Sequence, residues 1–126
     1  ETDGSVSNAD FNSDWPKQVL LKARLHEHLA VGDVDDDTLL DLLRNTQSAP
    51  IDQLPNTGIA LDKERALSAM FVCLPGYGTR ASTLVRYGAN EVTMKERSFD
   101  AQGQLSACVV EVRIPRAAHA HRSYQT

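Results

Sequence analysis

The sequence predicts an α+β fold, two N-terminal helices followed by an antiparallel β-meander, and three observations carry that expectation. Leucines recur at helical spacing through residues 19–43. After residue 67 the apolar period changes to that of strands. The strand-like runs are separated only by Pro75-Gly76, by Gly88-Ala89-Asn90 and by residues 100–103, turns too short for the crossover that parallel strands require. A chain of 126 residues suits one domain, and at this size folding buries about two-thirds of the unfolded surface, enough for a core.

Each element has a local reason. Residues 1–12 are small and polar and read as a loop or strand end around Val6. Ser13 or Asp14 is placed to cap the first helix, and Pro16 suits its first turn, where a missing N–H costs nothing. Leu21, Leu25 and Leu29 follow at intervals of four with Val19 nearby, giving an amphipathic helix over 15–30 that Gly32 ends. The acidic run Asp33, Asp35, Asp36 and Asp37 supplies a cap and dipole-matching charge to a second helix over 38–45, with Leu39, Leu40, Leu42 and Leu43 inward. These helices are expected to pair and cover one face of the sheet. Residues 46–58 contain two prolines and no apolar period and read as a connecting loop, and 62–66 as a short turn of helix.

Strands are expected over 67–74, 79–87, 91–99 and 104–114. On the third, Val92 and Met94 alternate with Glu91, Thr93 and Lys95, so one face is either wet or covered by another layer. Pro115 stops the last strand. Residues 1–115 therefore read as the folded unit and 116–126 as a polar tail. Two helices offer too little surface to hide a four-strand layer, so a second polypeptide segment is expected against it.

Composition excludes several classes of function. The net charge is −4 with scattered Lys and Arg, which leaves no basic stripe for nucleic acid. No apolar run approaches the ~20 residues that span a bilayer, so membrane insertion is not expected. Cys73 and Cys108 sit in apolar strand-like runs and read as small buried thiols, the chain lacking the pattern of a disulfide scaffold. His26 and His28 diverge on a helix, His119 and His121 lie in the tail, and the aspartate run lacks the turn glycine and closing glutamate of a calcium loop. No metal and no cofactor are expected.

The chemistry-bearing segment begins at Pro75. Pro75 and Gly76 set a turn, Gly78 permits close approach of another group, and Thr79, Arg80, Ser82 and Thr83 precede the apolar Leu84 and Val85, so the polar end of this strand belongs at a rim or cleft. The Arg80 guanidinium can bind a carboxylate, a phosphate or a tetrahedral oxyanion through paired donors, or else pair across the strands with Glu96. Tyr77, Thr79, Ser82 and Thr83 are candidate substrate-binding groups on the pocket wall. Asn8 carries a primary amide that can donate to an oxyanion without changing protonation state, or else cap a helix or turn.

The run Pro75-Gly76-Tyr77-Gly78-Thr79-Arg80 with its hydroxyl residues, continuing to Glu96-Arg97-Ser98-Phe99, resembles the C-terminal half of the transport and Golgi organisation 2 family, also called NRDE proteins. Val6-Ser7-Asn8-Ala9, Asp14-Trp15-Pro16-Lys17 and the stretch from Leu67 to Cys73 agree in order and spacing, so the likeness extends from Val6 to about Gly103. The resemblance implies half of an αββα sandwich of the N-terminal-nucleophile hydrolase type. Family members begin with a cysteine and carry Asn-Arg-Asp-Glu in their N-terminal half, and neither occurs here. The expected partner is therefore that N-terminal half, the expected activity hydrolysis of a small amide or ester once the cysteine is supplied, and the chain alone is expected to be inactive. By the same resemblance Asn8, with Arg80, would stabilise the oxyanion. The rival expectation is a non-catalytic carrier holding a lipid-like or tetrapyrrole ligand, and a third is a self-contained interaction module. The family likeness implies a cytoplasmic location, or the Golgi and secretory pathway in a eukaryote.

Overall fold

The computed structural model describes residues 4–7 and 14–117, with Cys108 by its backbone alone. Its elements are α1 (Pro16–Ala30), α2 (Asp36–Leu42), a 3-10 turn at Ile51–Gln53, α3 (Leu61–Leu67), β1 (Cys73–Leu74), β2 (Tyr77–Gly78), β3 (Ala81–Tyr87), β4 (Glu91–Phe99) and β5 (Leu105–Pro115). Helices precede an antiparallel meander, as the α+β reading requires. The meander is divided, however. β1 and β2 form a two-stranded ribbon, and β3-β4-β5 a separate three-stranded sheet, in place of one four-strand layer.

The strand expected over 67–74 shrinks because Leu67 belongs to α3 and Ser68, its C-cap, is tied back to the helix and to the loop that precedes it. Its Oγ donates to the Arg65 carbonyl at 2.6 Å and accepts from the Ala49 N–H at 2.7 Å. Only Cys73 and Leu74 remain as strand, paired with Gly78 and Tyr77 across the Pro75-Gly76 turn. Gly76 has φ +73°, the left-handed geometry that a Pro-Gly type II turn needs at its second central residue. Cys73 is exposed and its thiol free, against the expected burial, since a two-residue ribbon outside the main sheet has no second layer over it.

α1 starts where the proline puts it, but its N-cap is Trp15, which gives no side-chain cap. Asp14 lies one residue too early for that role, and Ser13 lies outside the described residues. The buried residue of α1 is Gln18, whose Nε2 donates to Ser5 Oγ at 3.0 Å, while Val19 and Leu29 are exposed. α2 begins earlier than expected because Asp35 is its cap, accepting from the Thr38 N–H and hydroxyl at 2.8 Å each. It stops short of Asn45. The Asn45 side chain accepts from the Gln47 N–H and its carbonyl from the Phe71 N–H, so that residue shapes a turn tied to the approach of β1.

Leu39 and Leu40 of α2, Ala49, Ala69, Phe71 and Phe99 form the core. Phe71 and Phe99 meet edge to face at 4.8 Å and 82°, with the Arg44 guanidinium 5.7 and 5.4 Å from their centroids.

The two faces of the three-stranded sheet are unlike. α2 lies against the face bearing Arg86, Lys95 and Arg97, and ion pairs tie it down: Arg86 to Asp36 at 2.5 Å, Lys95 to Asp37 at 2.9 Å, and Arg97 to Asp37 and Asp41 at 2.8 and 2.5 Å. Lys95 and then Arg97 hold the Asp37 carboxyl below the ordinary carboxylate value. Desolvation opposes the charge on Arg97, but its hydrogen bonds to Asp41 and Asp37 more than offset that, and its pKa rises. The acidic run thus caps α2 and clamps it to the sheet.

The opposite face carries three cross-strand rows, Thr83-Glu96-Val110, Val85-Met94-Val112 and Tyr87-Val92-Ile114. Seven of these nine side chains are apolar. Val85, Tyr87, Val110, Val112 and Ile114 are all exposed, and no described residue forms a layer over them.

Candidate functional site

The segments that stand out in the sequence meet at a cavity of about 380 Å³ beside the β1-β2 ribbon, within the range of small-molecule sites. The start of α1 contributes Trp15 and Lys17, the chain before α3 contributes Pro55, Thr57 and Ile59, and α3 contributes Glu64. The ribbon closes the other side with Tyr77, Gly78 and Thr79. Gly78 is required at this wall, since a Cβ there would stand 2.7 Å from the Val72 carbonyl oxygen. Thr79 fastens the ribbon, donating its N–H to the Val72 carbonyl at 2.8 Å and accepting the Val72 N–H on Oγ1 at 3.0 Å.

Two charged side chains border the cavity without pairing with each other. Glu64 is 6 % exposed, and its Oε1 accepts from the Thr57 N–H and hydroxyl at 2.9 and 2.6 Å. Lys17 Nζ donates to the Leu67 carbonyl at 3.3 Å and lies 5.9 Å from the Trp15 ring centroid. A cavity with an apolar wall and one group of each sign can orient a small polar molecule.

Behind the ribbon is a smaller cleft of about 90 Å³, bordered by Arg80, Asp100 and Gly103 and sharing Tyr77, Gly78 and Thr79 with the larger cavity. Arg80 is exposed, and its guanidinium makes no hydrogen bond or ion pair among the described residues, while its carbonyl accepts from the Phe99 N–H at 2.8 Å. Glu96, the alternative partner, instead accepts from the Thr83 hydroxyl at 2.9 Å.

Of the expected site residues, Tyr77 and Thr79 come together at the large cavity and Arg80 sits on the far side of the same ribbon. Ser82 and Thr83 border neither cavity. Strand alternation sends Ser82 to the helix side, where it is buried, and Thr83 to the open face. Asn8 lies outside the described residues, though its neighbour Ser7 borders the large cavity. Sequence reasoning missed Glu64, Lys17 and Thr57 as site residues. Trp15-Pro16-Lys17 was visible only as part of a resemblance, and nothing in the composition of α3 marks Glu64.

Among the described residues no three His, Cys, Asp or Glu side chains gather as a metal site, and no helix is long and apolar enough to cross a membrane. Neither the curated proteins nor the solved structures compared with the chain give a match. A family model, Transport and Golgi organisation 2, matches residues 4–101. That span takes in α1, the cavity, the ribbon and the sheet through the end of β4, so the chain belongs to the transport and Golgi organisation 2 family.

Proposed function

We propose that this chain is the C-terminal layer of an αββα domain of N-terminal-nucleophile type, and that the whole domain hydrolyses a small amide or ester. The observation that carries the reading is the open apolar face of the β3-β4-β5 sheet. In a sandwich of two sheets that face meets the second sheet at about 10 Å, and its alternating β-branched residues are suited to interdigitate there. Covering seven half-exposed apolar side chains contributes on the order of 1 kcal/mol each. The covering sheet is the N-terminal half of the family's domain.

In this mechanism a terminal cysteine of that half attacks the substrate carbonyl, its own α-amino group taking the thiol proton. The Asn8 amide donates to the resulting oxyanion, while Arg80, across the ribbon from the cavity that Ser7, Tyr77 and Thr79 border and unpaired among the described residues, binds an anionic group of the substrate in its own cleft. Collapse of the intermediate returns the proton to the departing amine or alcohol, and water then releases the acyl group from sulfur. Tyr77 and Thr79 hold the substrate against the ribbon. Ser82 and Thr83 act only through the placement of β3.

The test is turnover of amide, ester and thioester substrates by the full-length protein and its Asn8→Ala variant. A fall of about 100-fold or more is expected from loss of one oxyanion donor, and unchanged turnover removes Asn8 from the site. Ligand binding that survives chemical blocking of the cysteine, with no turnover in the unblocked protein, replaces the hydrolase with a lipid-like or tetrapyrrole carrier.

A further inference from the structure

We propose that the cavity between the start of α1, α3 and the β1-β2 ribbon binds a small zwitterion of the amino-acid class, Glu64 receiving its ammonium group and Lys17 its carboxylate. Glu64 is nine-tenths buried yet has no cationic partner among the described residues, and both of its hydrogen bonds fall on Oε1. Those bonds from Thr57 fix the carboxylate and leave Oε2 without a donor. No sealed side-chain oxygen or nitrogen lacks a partner among the described residues, so Oε2 is open to solvent, and Glu64 lines the cavity. A carboxylate held in place through one oxygen, with the other accessible and no cation beside it, is preorganised to receive a cationic group.

Lys17 supplies the opposite pole. One of its N–H groups reaches the Leu67 carbonyl, and the other two have no acceptor among the described residues. Glu64 and Lys17 line the same space but stand beyond ion-pairing distance, so a ligand with charges at both ends satisfies both where neither can satisfy the other. Between them Trp15, Ile59 and Pro55 give an apolar surface for a side chain, and about 380 Å³ leaves room for an aromatic one. A ligand with one charge would leave the other pole uncompensated, which is how such a site discriminates.

The further step, that this unit is the part of the hydrolase substrate held during cleavage, rests on the reading above; the binding itself does not. The experiment is an NMR titration of the 126-residue chain with three matched probes: phenylalanine, 3-phenylpropionate, which has only the anion, and phenethylamine, which has only the cation. Phenylalanine is expected to shift the Trp15 indole and the Thr57 and Thr79 amides saturably and to bind about ten-fold or more tighter than either singly charged probe. Glu64→Gln, which keeps an acceptor for Thr57, is expected to weaken phenylalanine about ten-fold while leaving 3-phenylpropionate unchanged. Lys17→Met is expected to weaken phenylalanine and spare phenethylamine. Equal binding of the three probes, no binding of phenylalanine, or indifference to both substitutions overturns the proposal. Binding here with no turnover by the full-length protein keeps this inference and discards the hydrolase, and turnover there without binding here does the reverse.

Discussion

Replacing Arg97 with methionine cuts the clamp between α2 and the sheet at its most buried point. The arginine side chain is 10 % exposed, whereas Asp37 and Asp41 are 62 % and 64 % exposed. A hydrogen bond to a charged group is worth ~1.5–3 kcal/mol when both sides are withdrawn from water, but here water reclaims both carboxylates, and exposed pairs contribute only ~0.2–1 kcal/mol. With two pairs lost and the methionine stem retaining the packing, the expected cost is ~1–2 kcal/mol at pH 7. Urea unfolding followed through the single Trp15 measures it. The pH dependence supplies the sharper check. Asp37 titrates below its ordinary value of 3.8 because Lys95 and Arg97 hold it charged, so its contribution is present above 3.8 and is lost as pH falls through the lowered folded value. Lys95 is raised above 10.5 by Asp37, so its share is present below 10.5 and is lost as pH rises through that raised value. The Arg97→Met penalty should therefore shrink in acid as Asp37 protonates. A penalty equal at pH 7 and pH 3, or one above ~4 kcal/mol as for a sealed ion pair, refutes the clamp as drawn.

Two other substitutions separate the open face from the cavity wall. Val112 sits in the central row of the open face and is 39 % exposed, so Val112→Lys should change the stability of the chain by less than ~0.5 kcal/mol. The same change should abolish association with the N-terminal half, read by size-exclusion chromatography of the mixed polypeptides, and unimpaired association would place the contact elsewhere. Gly78→Ala drives a methyl against the Val72 carbonyl at 2.7 Å, where backbone rather than a flexible side chain must yield. A loss of ~1–3 kcal/mol is expected in thermal unfolding, and a variant as stable as the parent would show that the ribbon does not pack as described.

Sequence periodicity revealed the helices and the meander because both have strong local causes: proline opening α1, aspartates at α2, and short turns between strands. The division of the sheet was not legible, because it depends on Ser68 bridging Arg65 and Ala49, a contact across nineteen positions that no local pattern encodes. The apolar alternation of Val92 and Met94 signalled a face needing cover, but not that α2 would take the charged side. Lys95 stood on a strand whose one face was read as either wet or covered by another layer, and the aspartates of α2 set against Lys95 and Arg97 decide for cover. At the cavity the glycine-rich ribbon announced itself through residues that backbone geometry demands. Glu64 and Thr57 escaped because a buried carboxylate in a short helix is spelled the same way as a solvated one.

One sheet here answers to two different solvents. Its α2 side is held in part by ions, which added salt screens over a Debye length of about 8 Å at physiological strength. Its far side, once occupied, would be held by exclusion of water, which salting-out ions strengthen and cooling weakens. Raising sulfate should thus tighten whatever covers the valines while changing the α2 side little, since screening of its ion pairs there is opposed by stronger burial of Leu39 and Leu40.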